Sequence, residues 1–215
     1  MAIALIAHTG VAGSASGGTT TAINTSGANL IVVSISSYTA YSTLTDSNGN
    51  TWTALNGYFN SSAFVKLYYC YAPTVGASHT FTAAGATNYP AICVSAFSGA
   101  ATSPFDVQNG SATGSPGSIT PSASNGLVIT ASVAQAPGTP TIDSGMTITD
   151  VISYSSGISM GGAMAYIIQT AATAISPTWS TPAGSSAIAS FFAAASSVSS
   201  IKNIQSISRI QSIQF

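Results

Sequence analysis

Charge is what this sequence has least of. Only 3% of its 215 residues are Asp, Glu, Lys or Arg, against about 25% in an average globular domain. There is no glutamate, and the charged residues can be named in full: Lys66, Lys202, Arg209, Asp46, Asp106, Asp143 and Asp150. So sparse a set gives no basic stripe and argues against a nucleic-acid partner. It also leaves few groups for acid–base work. The two histidines, His8 and His79, stand in strand-like contexts with no acidic neighbour in sequence, and no G-x-S-x-G elbow occurs. No catalytic residue, cofactor or metal is therefore assigned. Good helix formers such as Lys, Glu, Arg and Leu are scarce, while Ser, Thr, Gly, Val and Ile dominate, which argues for strands over helices. No window approaches about 18 consecutive apolar residues, so a transmembrane helix is not expected. The opening "MAIALIAHTG" has no Lys or Arg ahead of its short apolar stretch and is read as a strand, not a signal peptide.

What is present is apolar and patterned. Hydrophobic residues make up 46% of the chain, and 20 Gly and 9 Pro punctuate it. This is not a disordered composition. A surface of Ser, Thr, Asn and Gln lacks the self-repulsion that keeps copies apart, which favours life in an assembly. An extracellular β protein with a Ser/Thr-rich surface is the plainer alternative. Cys70 and Cys93 lie in the apolar runs "KLYYCYA" and "AICVSAF" and read as buried thiols on neighbouring strands. A disulfide between them would need a Cα separation of about 5.5 Å.

The order of features runs twice. "NLIVVSIS", "DSNGNTWTAL", "VKLYYCYAPTVGASHTFT" and "AICVSAFSGA" in the first half are followed by "GLVITASV", "DSGMTITDV", "AMAYIIQTAATAISPTWS" and "SAIASFFAAA" in the second. Leu30 matches Leu127, Asp46 matches Asp143 and Tyr69 matches Tyr166 at one constant spacing; Phe81 matches Trp179 one residue further on. Each half reads as short strands separated by Gly- and Pro-rich turns. The halves cover about 25–100 and 125–195, and each alone would bury its apolar face poorly. They are expected to share one core in an antiparallel sandwich over 1–197. The stretch 98–124, with Pro104, Gly110, Gly114, Pro116, Gly117 and Pro121, is expected as a linker crossing one end as a long loop.

Two stretches could carry binding chemistry. Asp46, Asn48 and Asn50 of "DSNGN" have the spacing of the first calcium-loop ligands, but Thr51 and Gly57 stand where that loop needs Gly and Glu. A tight turn with an Asx hydrogen bond is the preferred reading. The aromatics Tyr68, Tyr69 and Tyr71, with Trp52, Tyr58 and Phe59 nearby, could offer a sugar platform, for which Trp52 and Tyr68 are the named candidates. Alternation puts Tyr69 and Tyr71 on one side of a strand and Tyr68 on the other, so core or subunit interface is the competing role.

The last residues, 198–215, repeat every three: Val198, Ile201, Ile204, Ile207, Ile210 and Ile213, in the units "SIKNIQ", "SISRIQ" and "SIQF", closing on Phe215. On a helix this stripe would wind round and give no burial face. A period of three suits polyproline II geometry or a triangular β-coil. Such an aliphatic edge wants copies of itself or a groove on a neighbour, so the segment is read as an oligomerisation or docking tail, with a trimer expected.

Together, "LIVVSIS", "DSNGNTWTAL", "LYYCYAPT…HTFT", "AFSG", "GLVITASV", "SSAIASFFAA" and the Ile/Gln/Ser tail resemble a jelly-roll-like β-sandwich domain of phage virion structural proteins, also met in some secreted bacterial proteins. The resemblance spans roughly 25–215 and contains no catalytic motif. It implies a non-enzymatic head-decoration, head-fibre or tail-associated role, with partners in the chain itself and other virion proteins such as the major capsid protein. The expected location is the virion, after synthesis in the host cytoplasm. A receptor- or carbohydrate-binding tail protein is the alternative, and a secreted enzyme's accessory domain a third.

Overall fold

A computed structural model describes residues 2–40, 43–85, 88–154, 157–180 and 184–195. Within them the regular secondary structure, joined by turns and loops, is all strand. In order these are β1 (Ala4–Ala12), β2 (Gly17–Thr19), β3 (Leu30–Ser37), β4 (Leu44–Asp46), β5 (Thr53–Asn60), β6 (Ala63–Tyr71) and β7 (Phe81–Ala84). There follow β8 (Ala91–Ser98), β9 (Ala100–Ser111), β10 (Gly126–Ala134), β11 (Thr147–Ile152), β12 (Gly161–Gln169) and β13 (Ser185–Ala193). No helix among the described residues is long and apolar enough to cross a membrane.

Two five-stranded antiparallel sheets form a sandwich. One runs β1-β8-β3-β6-β5, the other β9-β13-β10-β12-β11. β3 lies over β10 at the centre, β1 over β11 at one margin and β5 over β9 at the other. The registers run in parallel too. Leu30 sits between Tyr71 and Phe97, and Leu127 between Ile168 and Phe191. Phe97 in turn faces Leu5 across its outer ladder, while Phe191 faces Phe105. Both central strands are buried along their whole length, as their near-continuous apolar runs require.

Each sheet is apolar on both faces. Leu30, Val32, Leu67 and Phe97 meet Leu127, Ile129, Met164 and Phe191 in the shared core. The opposite face of the first sheet (Ile31, Val33, Ile92, Val94) is covered by a three-stranded cap, β2-β7-β4, through Leu44, Phe81 and Ala83. The outer face of the second sheet (Val128, Ala163, Ile188) is covered by Ile119, Met146 and Trp179 from loops that meet in the single bridges Ile119–Ile175 and Ile142–Trp179. Trp179 thus sits in a single bridge and not in a strand, and its ring is buried against the sheet.

The stretch 98–124 departs from its expected role. It holds β9, the longest strand, not a loop crossing the sandwich. Pro104 and Gly110 read as breakers, but β9 is an edge strand, where a missing N–H or a bulge is tolerated. Between Phe105, opposite Phe191, and Ala100, opposite Ala193, β9 carries extra residues and bulges outward. Gly110 is there for close approach: a Cβ on it would come within 2.3 Å of the Tyr58 ring on β5.

Cys70 and Cys93 are free and buried. They are not on neighbouring strands, because β3 runs between β6 and β8. Cys70 pairs with Ile31, which faces the cap, whereas Cys93 belongs to the shared core. Burial, helped by the charge of Asp150, pushes the Cys93 thiol far above the usual range, so it acts as a small apolar side chain.

Candidate functional site

The histidines do have acidic neighbours, brought in from far along the chain. His79 Nε2 lies 3.0 Å from Asp46 Oδ1, and His79 Nδ1 lies 3.0 Å from Thr25 Oγ1. Hydroxyl, imidazole and carboxylate in line is the arrangement of nucleophilic triads. Here it is sealed. Thr25 is fully buried, the His79 and Asp46 side chains expose nothing, and Phe81 stacks on the imidazole at 4.3 Å. The Asp46 carboxylate also accepts from Asn48 N at 2.8 Å, Asn50 N at 3.2 Å, Asn50 Nδ2 at 3.1 Å and Trp52 Nε1 at 2.8 Å. Burial alone would raise this carboxyl; the hydrogen bonds from His79, Asn48, Trp52 and Asn50 outweigh it and hold the group below its ordinary value. The cluster ties the loop before β3, the end of β4 and the entry to β7 into one cap.

The same geometry decides the reading of "DSNGN". The Asn48 N–H bond to Asp46 Oδ1 is an Asx turn, closed by Gly49 N to Asp46 O at 3.3 Å, with Gly49 at a φ of 72°. N–H donors converge on the carboxylate, the wrong polarity for a cation. Among the described residues no group of three or more His, Cys, Asp or Glu could hold a metal ion.

His8 Nδ1 lies 3.2 Å from Asp150 Oδ1, joining the margins β1 and β11 of the two sheets. This pair is open to solvent on the His8 side.

The aromatic stretch on β6 divides as alternation demanded, and of the two named sugar candidates Tyr68 is buried while Trp52 is half-buried, as Tyr69 and Tyr71 are. Tyr68 is 2% exposed and packs under the cap, with Lys66 Nζ 5.4 Å from its ring centre. Trp52 is half-buried, edge-on to Phe81 at 5.9 Å and tied to Asp46. Tyr69 and Tyr71 instead point to the shared-core side, at the margin where β5 overlies β9. There a cleft of about 340 Å³ opens between Thr51, Thr53, Tyr69 and Tyr71 on one lip and the bulged start of β9, Thr102 to Phe105, on the other. Its floor is a fixed aromatic cluster. Tyr69 stacks on Phe105 at 6.0 Å and 12°, and both rings meet buried Phe191 edge-on. Phe105 escaped the sequence reading because its segment was taken for a linker; its apolar spacing from Val107 was the available signal.

The tail residues Val198, Ile201, Ile204, Ile207, Ile210, Ile213 and Phe215 lie outside the described residues. Comparison with family models, with curated proteins and with solved structures finds no match.

Proposed function

We propose that this chain is a non-enzymatic structural component of a phage virion, a capsid decoration or cement protein that works by burial between subunits. One observation carries the reading: the Thr25–His79–Asp46 constellation, the arrangement closest to a reactive centre, is spent on locking a cap and exposes no side-chain surface of His79 or Asp46. A nearly chargeless chain with such a body has neutral surface as its main means of contact. The period-three tail supplies the apolar strip, and three copies about one axis would bury it at about 25 cal/mol per Å².

In this reading the body is two sequence-related halves, each folded as one sheet with its cover, related by an approximate twofold axis between β3 and β10. The matching strand orders and registers support it. The jelly-roll-like likeness then lies in the layered antiparallel architecture, not in the connections, since each sheet is drawn from one continuous half of the chain. The test is the protein inventory of particles purified from a lysate of cells in which this chain is made during phage growth. It is expected in fixed, multiple copies per particle; particles that lack it overturn the proposal.

A second reading, a receptor- or carbohydrate-binding tail protein, is favoured by the aromatic cleft between β5 and β9.

A further inference from the structure

Several hydroxyls of this protein are used internally. Thr19 bonds Thr82, Thr9 bonds Thr21, Ser111 bonds Thr113, and Ser122 bonds Asp106. Round the cleft they are not. The hydroxyls of Thr51, Thr53, Thr102 and Ser103, and those of Tyr69 and Tyr71, make no hydrogen bond to any described residue. Six unspent hydroxyls thus ring an aromatic floor held rigid by Phe191. No charged residue lines the cleft. The neighbouring carboxylate, Asp106, is occupied by Ser122 N, Ser122 Oγ and Ser190 Oγ.

We infer that this cleft binds an uncharged saccharide, one ring lying against Tyr71 and Phe105 with its hydroxyls bonded to the Thr and Ser side chains of the two lips. Sugars present a C–H face to an aromatic ring and hydroxyls at its rim, and neutral side-chain hydroxyls can both donate and accept. The volume falls at the low end of small-molecule sites, about 300–1,000 Å³. An extended peptide is the competing occupant, since it could add to an open strand edge. At this lip Pro104 has no N–H to give, and the bulge breaks the ladder register. The opposite margin sharpens the case. Tyr166 meets Phe97 at 5.4 Å and 67°, as Tyr69 meets Phe191 at 5.3 Å and 67°. Yet Leu5 and Ile168 stand there where this margin has Phe105 and Tyr71. At these two matched positions the aromatic side chains stand on one margin alone.

The inference rests on the second reading and is independent of assembly. The test titrates the full chain, by calorimetry and by chemical-shift mapping, with cellotetraose, maltotetraose, chitotetraose and mannotetraose, and with sialyllactose and an extended peptide library. Light scattering on the same samples records oligomeric state, so a monomer that binds sugar sinks only the assembly proposal. At least one neutral tetrasaccharide is expected to bind with a Kd of roughly 1 mM or tighter. Tyr71→Ile and Phe105→Leu, which import the other margin's side chains, are each expected to weaken it about tenfold while unfolding stays cooperative, with the binding measured well below the unfolding midpoint of each variant. No binding by any of the four, preference for sialyllactose or peptide, or binding indifferent to both substitutions overturns the inference.

Discussion

The two outer covers solve one problem in different ways. Both lay a large aromatic, Phe81 or Trp179, on a sheet face that the shared core leaves bare. Over the first sheet the cover is a three-stranded cap locked by a buried ionisable cluster, with Asp46 accepting from His79, Trp52, Asn48 and Asn50. Over the second it is loop, and the work is neutral: Trp179 Nε1 bonds buried Thr130 at 3.1 Å, while exposed Asp143 receives only Thr178 N and Ser144 Oγ. Asp46 and Asp143, matched in sequence spacing, therefore have different worth. A buried carboxylate is tolerable only when its oxygens are saturated with donors, and removing it strands those donors.

The largest break in this comparison is Asp46→Ala. It leaves His79, Trp52 and Asn50 without their acceptor and is expected to cost about 3 kcal/mol, seen as a fall in the urea midpoint. Asp143→Ala is expected to cost less than half as much; equal losses would mean the covers are equivalent after all. Acid sharpens the contrast. Asp46 is held below its ordinary value of 3.8 when folded, so the unfolded chain takes up its proton first as pH falls. The stability from Asp46 is complete above about pH 5 and is lost as pH drops through the folded value. The Asp46→Ala chain should show less of this acid loss.

A smaller break compares the sandwich margins. A Cβ on Gly110 would come 2.3 Å from the Tyr58 ring, and a Cβ on Gly10, on β1, would come 2.8 Å from the terminal carbon of Ile152 on β11 and 3.2 Å from Asp150 Cβ. Gly110→Ala is expected to cost about 1–3 kcal/mol, since the ring has nowhere to retreat without opening the β5–β9 margin. Gly10→Ala meets the free end of a flexible side chain and should cost less, by the same urea measurement. The reverse order would show that the β1–β11 margin is the tighter one.

How much of this was legible in the sequence depends on the range of the forces involved. The β-branched run from Leu30 and its counterpart from Leu127 announced central strands, because burial on both faces leaves no polar alternation. Period two assigned Tyr68 and Tyr69 to opposite faces. It could not say which face stays open, since a capped sheet has two cores. β9 was hidden by Pro104 and Gly110, residues that an edge strand accommodates and a central one does not. The Asp46–His79 and His8–Asp150 contacts join residues 33 and 142 apart in sequence, and no local pattern encodes such meetings. The cleft was half visible: its tyrosines were marked as a cluster, but its second lip depended on a sheet pairing that only the fold supplies.

The central claim is that a self-contained sandwich is brought into an assembly by its period-three tail. The direct measurement is the solution mass, by light scattering, of the full chain and of a chain ending at residue 197, each checked for cooperative unfolding. The account predicts a trimer for the first and a folded monomer for the second. A shortened chain that unfolds cooperatively and keeps the mass of the full assembly would contradict it.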